Sequence, residues 1–130
     1  MCSAPLIRAA LVTIATLDFN SLVQFYRQLL QQDPSPWQPD RYAEFSLPGL
    51  TLGLFKPKPE HEAEFHQQSH TALSLCFQVA DLSATIAHLT HLGYPPVGSV
   101  TIAPHGREIY ASDPMGNRLI LWEPSHPSPP

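Results

Sequence analysis

Charged residues are scarce in this chain of 130 residues. Asp, Glu, Lys and Arg make up 14% of the sequence, against roughly 25% in an average soluble domain. So little charge indicates that part of the surface is covered by a partner subunit or lines an apolar cavity. The seven Lys and Arg are scattered and the formal net charge is −4. The chain therefore has no basic patch to neutralise phosphates, and we expect it to bind no nucleic acid.

Long apolar runs and paired cysteines are also missing. The run AALVTIATL near the N-terminus is interrupted by threonines and followed by Asp18, so it is too short and too polar for a membrane span or a signal peptide. Cys2 and Cys76 have no CxxC spacing, which predicts reduced thiols in a cytoplasmic protein. A nucleophile elbow and a glycine-rich phosphate loop are absent too, and the sequence names no catalytic residue.

The sequence does contain a pattern of strands and helices that occurs twice. The first half predicts a strand at 7–16, a helix from 19 to 32 capped by Asp18, and strands at 41–47 and 50–56. The second half predicts a strand at 71–79, a helix at 82–92 between Asp81 and Gly93, and strands at 98–104, 107–112 and 117–123. We predict one domain over residues 1–124, built from module one (7–57), a linker (58–70) and module two (71–124), with a disordered tail at 125–130.

Two stretches of this repeat carry a family resemblance. The first is LDFNSLVQFYRQLL, which begins at Leu17, and the second is SDPMGNRLILWEP, which ends at Pro124. With them the chain resembles the vicinal oxygen chelate superfamily, the glyoxalase, bleomycin resistance and dioxygenase group. The resemblance implies an α+β fold in which two tandem βαβββ modules form a curled mixed β-sheet around a cleft. It also implies a divalent metal on four inward-facing His, Gln or Glu positions, which polarises two substrate oxygens.

The register of the repeat locates those four positions in this chain. Counting seven residues back from Asp18 and Asp81 gives Leu11 and Ser74, and counting seven forward from Asp113 gives Ile120. The repeat then places Gly53 as the fourth. None of these side chains is a ligand for a catalytic divalent cation, so we expect neither a metal nor another cofactor.

Strand alternation extends these positions to a cleft-facing set and a helix-facing set. The predicted ligand-binding cleft comprises Leu11, Thr13, Ala15, Gly53, Phe55, Ser74, Cys76, Gln78, Ile120 and Trp122, with Arg107 from the loop before its strand. The predicted helix-facing set comprises Val12, Ile14, Leu73, Leu75, Phe77 and Val79. Such a mostly apolar pocket with a few polar groups is typical of a small-ligand site.

Three functions are compatible with this sequence. The leading hypothesis is a metal-free protein that binds a small organic molecule in its cleft, as a homodimer. The second is a metal-dependent lyase, isomerase or dioxygenase with displaced ligands drawn from His66, His70, His105 and Glu108. The third is a structural or regulatory protein whose cleft receives another chain.

Overall fold

The chain folds into two modules of the same topology. The computed structural model describes residues 6–65 and 72–125, and the protein divides into two compact units between residues 66 and 67. Cys2, His66, His70 and the tail beyond Ser125 lie outside the described residues.

Module one contains a four-stranded mixed sheet, one α-helix and a 3-10 helix. Its elements are β1 (Val12–Ala15), α1 (Phe19–Leu30), β2 (Trp37–Gln38), β3 (Tyr42–Leu47), β4 (Leu50–Phe55) and the 3-10 helix Pro59–Phe65. The 3-10 helix occupies much of the predicted linker.

Module two has the same succession of elements. They are β5 (Leu75–Gln78), α2 (Leu82–Leu92), β6 (Thr101–Ala103), β7 (Gly106–Ser112) and β8 (Arg118–Pro124). The strand orders are β1-β4-β3-β2 and β5-β8-β7-β6, with the first and last strands of each module parallel and the others antiparallel. The predicted α+β class and the tandem βαβββ modules are confirmed, and each module has its own sheet.

Helix α1 covers one face of the module-one sheet. Its apolar residues recur at helical spacing, and five of its side chains are buried: Phe19, Leu22, Val23, Phe25 and Tyr26. The sheet side chains beneath them are also buried: Ala43, Phe45, Leu52 and Leu54. The ring centroids of Tyr26 and Phe45 lie 6.4 Å apart, which joins the two layers. Burying each such large apolar side chain contributes about 1.5–3 kcal/mol, so this layer holds the module together.

Local end signals set the limits of α2. The side chain of Asp81 accepts a hydrogen bond from the backbone N–H of Ala84 at 3.0 Å, and Gly93 ends the helix in the left-handed conformation, at φ +96°. Both predictions are confirmed. Asp18 precedes α1 as predicted, but its side chain makes no capping hydrogen bond within the described residues. Its backbone N–H instead donates to the Thr16 hydroxyl at 3.0 Å.

Three features differ from the predicted strands. Strand β5 begins only at Leu75, so Leu73 precedes the ladder and is 81% exposed instead of facing a helix. Val12, on the edge strand β1, is 39% exposed instead of being covered by a helix. The two-residue strand β2 was not predicted, since two residues are too few to show a strand period.

Within the described residues, no helix combines the length and the apolar character that crossing a membrane requires.

Candidate functional site

The predicted cleft residues of module one share one face of its sheet. Thr13 lies opposite Gly53, and Ala15 lies opposite Phe55. Leu52 and Leu54 alternate with Gly53 and Phe55 along β4 and belong to the layer under α1. Gly53 and Phe55, with the predicted cleft residues opposite them, therefore lie on the sheet face away from α1. We call the sheet face that a module's own helix does not cover its helix-free face. Leu11 immediately precedes β1 and is 48% exposed.

Strand β3 adds two polar side chains to this face that the sequence reasoning missed. Tyr42 lies opposite Phe55, and Glu44 lies opposite Gly53. The hydroxyl of Tyr42 donates a hydrogen bond to Oε1 of Glu44 at 2.7 Å. Burial and the neighbouring carboxylate together raise the pKa of Tyr42 to about 12. Tyr42 therefore stays protonated, and remains a donor to Glu44, throughout the neutral range.

Gly53 makes room for this pair. A Cβ atom at position 53 would lie 2.8 Å from the Tyr42 hydroxyl oxygen and 3.3 Å from the Thr13 methyl carbon. Real Cβ atoms essentially never approach another heavy atom to under 3.0 Å. At the position where the family resemblance implies a metal ligand, the chain thus places the phenol of a neighbouring strand.

The raised pKa of Tyr42 has a direct test. We expect phenolate absorbance to show a midpoint near pH 12 in the difference between the wild type and Tyr42→Phe. Glu44→Gln should lower that midpoint, because the hydrogen-bonded negative charge is removed while the burial remains. Between pH 10 and 12 the free energy of unfolding should fall as pH rises, since the unfolded chain loses this proton first. A midpoint near 10 in the wild type would contradict the assigned hydrogen bond.

The helix-free face of module two brings together most of its predicted residues. Cys76 lies opposite Ile120, and Gln78 lies opposite Trp122. Ser74 accepts a hydrogen bond from the Arg118 guanidinium at 3.3 Å. Strand β7 contributes Glu108 opposite Trp122 and Tyr110 opposite Ile120.

A hairpin places His105 beside Trp122. The ring centroids of the two side chains lie 6.1 Å apart, and the indole N–H of Trp122 donates to the His105 carbonyl at 3.3 Å. Nε2 of His105 lies 3.5 Å from Oε1 of Glu108. The structure thus brings His105, Glu108 and Trp122 together. The sequence suggested only that His105 and Glu108 are near each other, because they are three residues apart.

Arg107 does not share this face. It lies opposite Glu123 across β7 and β8, and its guanidinium contacts Oε1 of Glu123 at 3.1 Å. That same oxygen accepts a hydrogen bond from the backbone N–H of Leu82, the first residue of α2, at 2.7 Å. These two donors hold the pKa of Glu123 below its ordinary value. Arg107 therefore helps to hold Glu123 of β8 against the start of α2, and it lies on the sheet face opposite to the predicted cleft residues.

A cavity of about 530 Å³ opens beside the helix-free face of module two. Its wall includes Tyr94 after α2, Tyr110 from β7 and Arg118 from β8. Tyr94 is 38% exposed and Tyr110 is 55% exposed. The volume lies within the range of small-molecule pockets, and the lining combines two tyrosine rings with the side chains of Arg118 and Asp113.

The donor set at the four implied metal positions does not fit a divalent cation. Leu11, Gly53 and Ile120 have no donor atom, and the Ser74 hydroxyl is engaged by Arg118. In residues 6–65 and 72–125, no cluster of three or more His, Cys, Asp or Glu side chains is arranged to hold a metal ion. Of the displaced ligands considered above, His105 and Glu108 lie near each other, and His66 and His70 are outside the described residues.

Comparison with known proteins identifies the class. The family model of the Glyoxalase/Bleomycin resistance protein/Dioxygenase superfamily matches residues 8–121. The chain therefore belongs to this superfamily, as the resemblance predicted. No curated protein matches the chain in sequence.

Solved structures of the same fold include proteins whose names describe different functions. A glyoxalase-related enzyme from Fulvimarina pelagi superposes with a TM-score of 0.72 at 18% identity, over 91% of this chain and 88% of that chain. The fosfomycin resistance protein FosX from Listeria monocytogenes gives 0.72 at 16% identity, over 96% of both chains. A bleomycin resistance determinant encoded on the transposon Tn5 gives 0.64 at 16% identity, over 92% of this chain and all of that one. At these identities the likeness shows the fold.

Proposed function

We propose that this protein binds a small organic molecule on the helix-free faces of its sheets, and that it does so without a divalent metal. The observation that carries the proposal is the side-chain set at the four family positions. Leu11, Gly53, Ser74 and Ile120 offer no imidazole, carboxylate or thiolate, and the Tyr42 hydroxyl lies directly over Gly53.

The surroundings of these positions support a small-molecule ligand. Phe55 and Trp122 provide aromatic surface on the two helix-free faces, and both are half-buried. Aromatic side chains with a few well-placed polar groups are typical of sites for organic ligands. The cavity of about 530 Å³ beside Tyr110 and Arg118 adds an open cleft in module two.

We propose a cytoplasmic homodimer as the state in which the ligand binds. Strand β1 is a sheet edge, and exposed apolar side chains lie there: Val12 at 39%, and Leu11, just before the strand, at 48%. Exposed apolar edges of this kind are covered in stable assemblies, since they otherwise promote aggregation. The mass measured by light scattering should therefore be that of two chains, and the mass of one chain would refute the dimer.

The metal-free proposal is tested by metal analysis of untagged protein purified without chelator. We expect nickel, zinc, iron and manganese far below one ion per chain, because the donors are missing. Ligand-observed NMR with a mixture of aryl acids, amines and alcohols should show binding that is the same with and without EDTA. Failure of every class of compound to bind would count against a small-molecule function.

A different outcome would favour the metal-dependent enzyme: the wild type contains about one metal ion per chain, and His105→Gln and Glu108→Gln each lose it. The matched controls are His61→Gln and Glu64→Gln, because this exposed His–Glu pair, 2.6 Å apart in the 3-10 helix, has the same chemistry away from the sheet. Metal retained in the controls and lost in the His105 and Glu108 variants would overturn the proposal.

A further inference from the structure

The Tyr42–Glu44 pair itself presents only hydrogen-bond acceptors on the helix-free face of module one. A phenol has a single O–H donor, and Tyr42 gives it to Glu44 at 2.7 Å. An ionised carboxylate has no donor at all. The lone pairs that remain on the Tyr42 oxygen and on the second oxygen of Glu44 can therefore be satisfied only by a group that brings its own N–H or O–H.

No cation of the described residues neutralises this carboxylate. The ion pairs of module one join Arg27 to Asp33, Lys56 to Asp40 and His61 to Glu64, and none includes Glu44. Glu44 is also only half exposed, so water screens its charge less than that of a carboxylate on the open surface. A bound partner with a positive charge would be attracted to it.

Aromatic rings flank the acceptor pair. Phe55 lies opposite Tyr42 on the same sheet face, so the two side chains are cross-strand neighbours. Phe65 of the 3-10 helix packs edge-on against Phe55, with ring centroids 5.3 Å apart at an interplanar angle of 90°, and is 48% exposed. Aromatic faces attract cations and also cover the apolar body of a ligand.

The position of the pair depends on Gly53. Because residue 53 has no side chain, the Tyr42 ring can lie across the sheet with its hydroxyl above the backbone of β4. The carboxylate of Glu44, opposite Gly53, is then held beside the aromatic surface by the phenol. The contacts that build the site join residues of module one.

We propose that Tyr42, Glu44, Phe55 and Phe65 form a binding site for the ammonium group of an organic amine. The ammonium donates to the Glu44 carboxylate and to the Tyr42 oxygen, and its apolar substituent packs against Phe55 and Phe65. This inference rests on the proposed small-molecule function and assigns the charge and class of the ligand.

The test compares three probes of nearly the same shape: 2-phenylethylamine, 2-phenylethanol and 3-phenylpropanoate. Each is titrated into the full chain and followed by amide NMR shifts. We expect the amine to bind about tenfold or more tightly than the alcohol, because the ammonium forms an ion pair with Glu44 whereas the alcohol is a neutral donor to the same carboxylate. The propanoate should bind more weakly still, since its charge is repelled by Glu44.

Variants assign the binding to the site. Glu44→Gln should weaken amine binding roughly tenfold or more, and Tyr42→Phe should weaken it by a few-fold because the carboxylate remains. Glu60→Gln is the matched control, since it removes the same charge from an exposed position on the 3-10 helix, and should leave affinity within about twofold. The amide spectrum of each variant reports whether it is folded.

Two results would overturn the inference. The first is equal or better binding of the alcohol or the propanoate, which would leave the small-molecule function standing with a different ligand class. The second is amine binding that is absent in the wild type or unchanged in folded Glu44→Gln.

Discussion

Replacing Gly106 by alanine should lower the free energy of unfolding by about 4 kcal/mol. Gly106 begins β7 at a φ of +144°, and an added Cβ would clash with the Glu123 carbonyl oxygen and lie 2.9 Å from Cα of Pro124. These atoms belong to the backbone, so no rotamer change can relieve the overlap. The hairpin would have to move away from β8 and carry His105 away from Trp122.

Gly98→Ala is the matched control for this prediction. Gly98 also has a positive φ, at +127°, but no atom lies within 4 Å of the Cβ position. The control therefore isolates the backbone strain, and we expect a loss of about 1–2 kcal/mol. Urea unfolding followed by circular dichroism measures both variants. Equal losses would show that the close approach of Gly106 to β8 contributes nothing.

Replacing Asp113 by alanine should have the second largest effect, a loss of about 3 kcal/mol. Asp113 is 4% exposed and organises the turn between β7 and β8. One of its oxygens accepts from the backbone N–H groups of Met115 and Asn117, both at 2.9 Å, and the other accepts from the Asn117 amide at 2.8 Å. Alanine would remove the buried carboxylate that accepts from all three of these donors.

Asp81→Ala provides the comparison for Asp113. Asp81 is exposed, and its side chain makes one hydrogen bond to the N-terminus of α2, so its loss should cost about 1 kcal/mol. The same urea experiment applies to both variants. If the two variants lose the same free energy of unfolding within error, the hydrogen bonds of Asp113 stabilise the protein no more than an ordinary helix cap does. Tyr110 and Trp122, on the strands that this turn joins, should shift their amide signals in Asp113→Ala.

Parts of the candidate site followed from the sequence because they depend on strand alternation. Thr13 and Gly53, or Cys76 and Ile120, are assigned to one face by counting in twos from a known end of the module. The structure places each of these pairs directly opposite each other. The same counting applied to β7 would have put Arg107 with the buried Ile109 and Ala111, away from Tyr110. The sequence prediction instead grouped Arg107 with the preceding loop and assigned it to the cleft, although the predicted strand already began at 107.

The Tyr42–Glu44 pair could not be predicted in the same way. Its significance depends on which residue of β4 lies opposite each residue of β3, and that pairing is set by the turn between the strands. Gly53 was recognised as a missing metal ligand, but the sequence contains no sign that a phenol fills its place. Only the packed sheet shows the hydroxyl above residue 53.

The sequence by itself determined the family, the order of elements and the absence of donors at the four metal positions. These properties depend on residue identity and on short-range spacing, which do not require knowledge of the packed structure. The tertiary structure decided which side chains meet: Tyr42 with Glu44, His105 with Trp122, and Arg107 with Glu123. The contacts of His105 and Arg107 join residues far apart along the chain, and the Tyr42–Glu44 pair, although on one strand, is placed over Gly53 of the neighbouring strand. Their geometry follows from strand pairing and from the packing of side chains over glycine, and both arise only when the chain is folded.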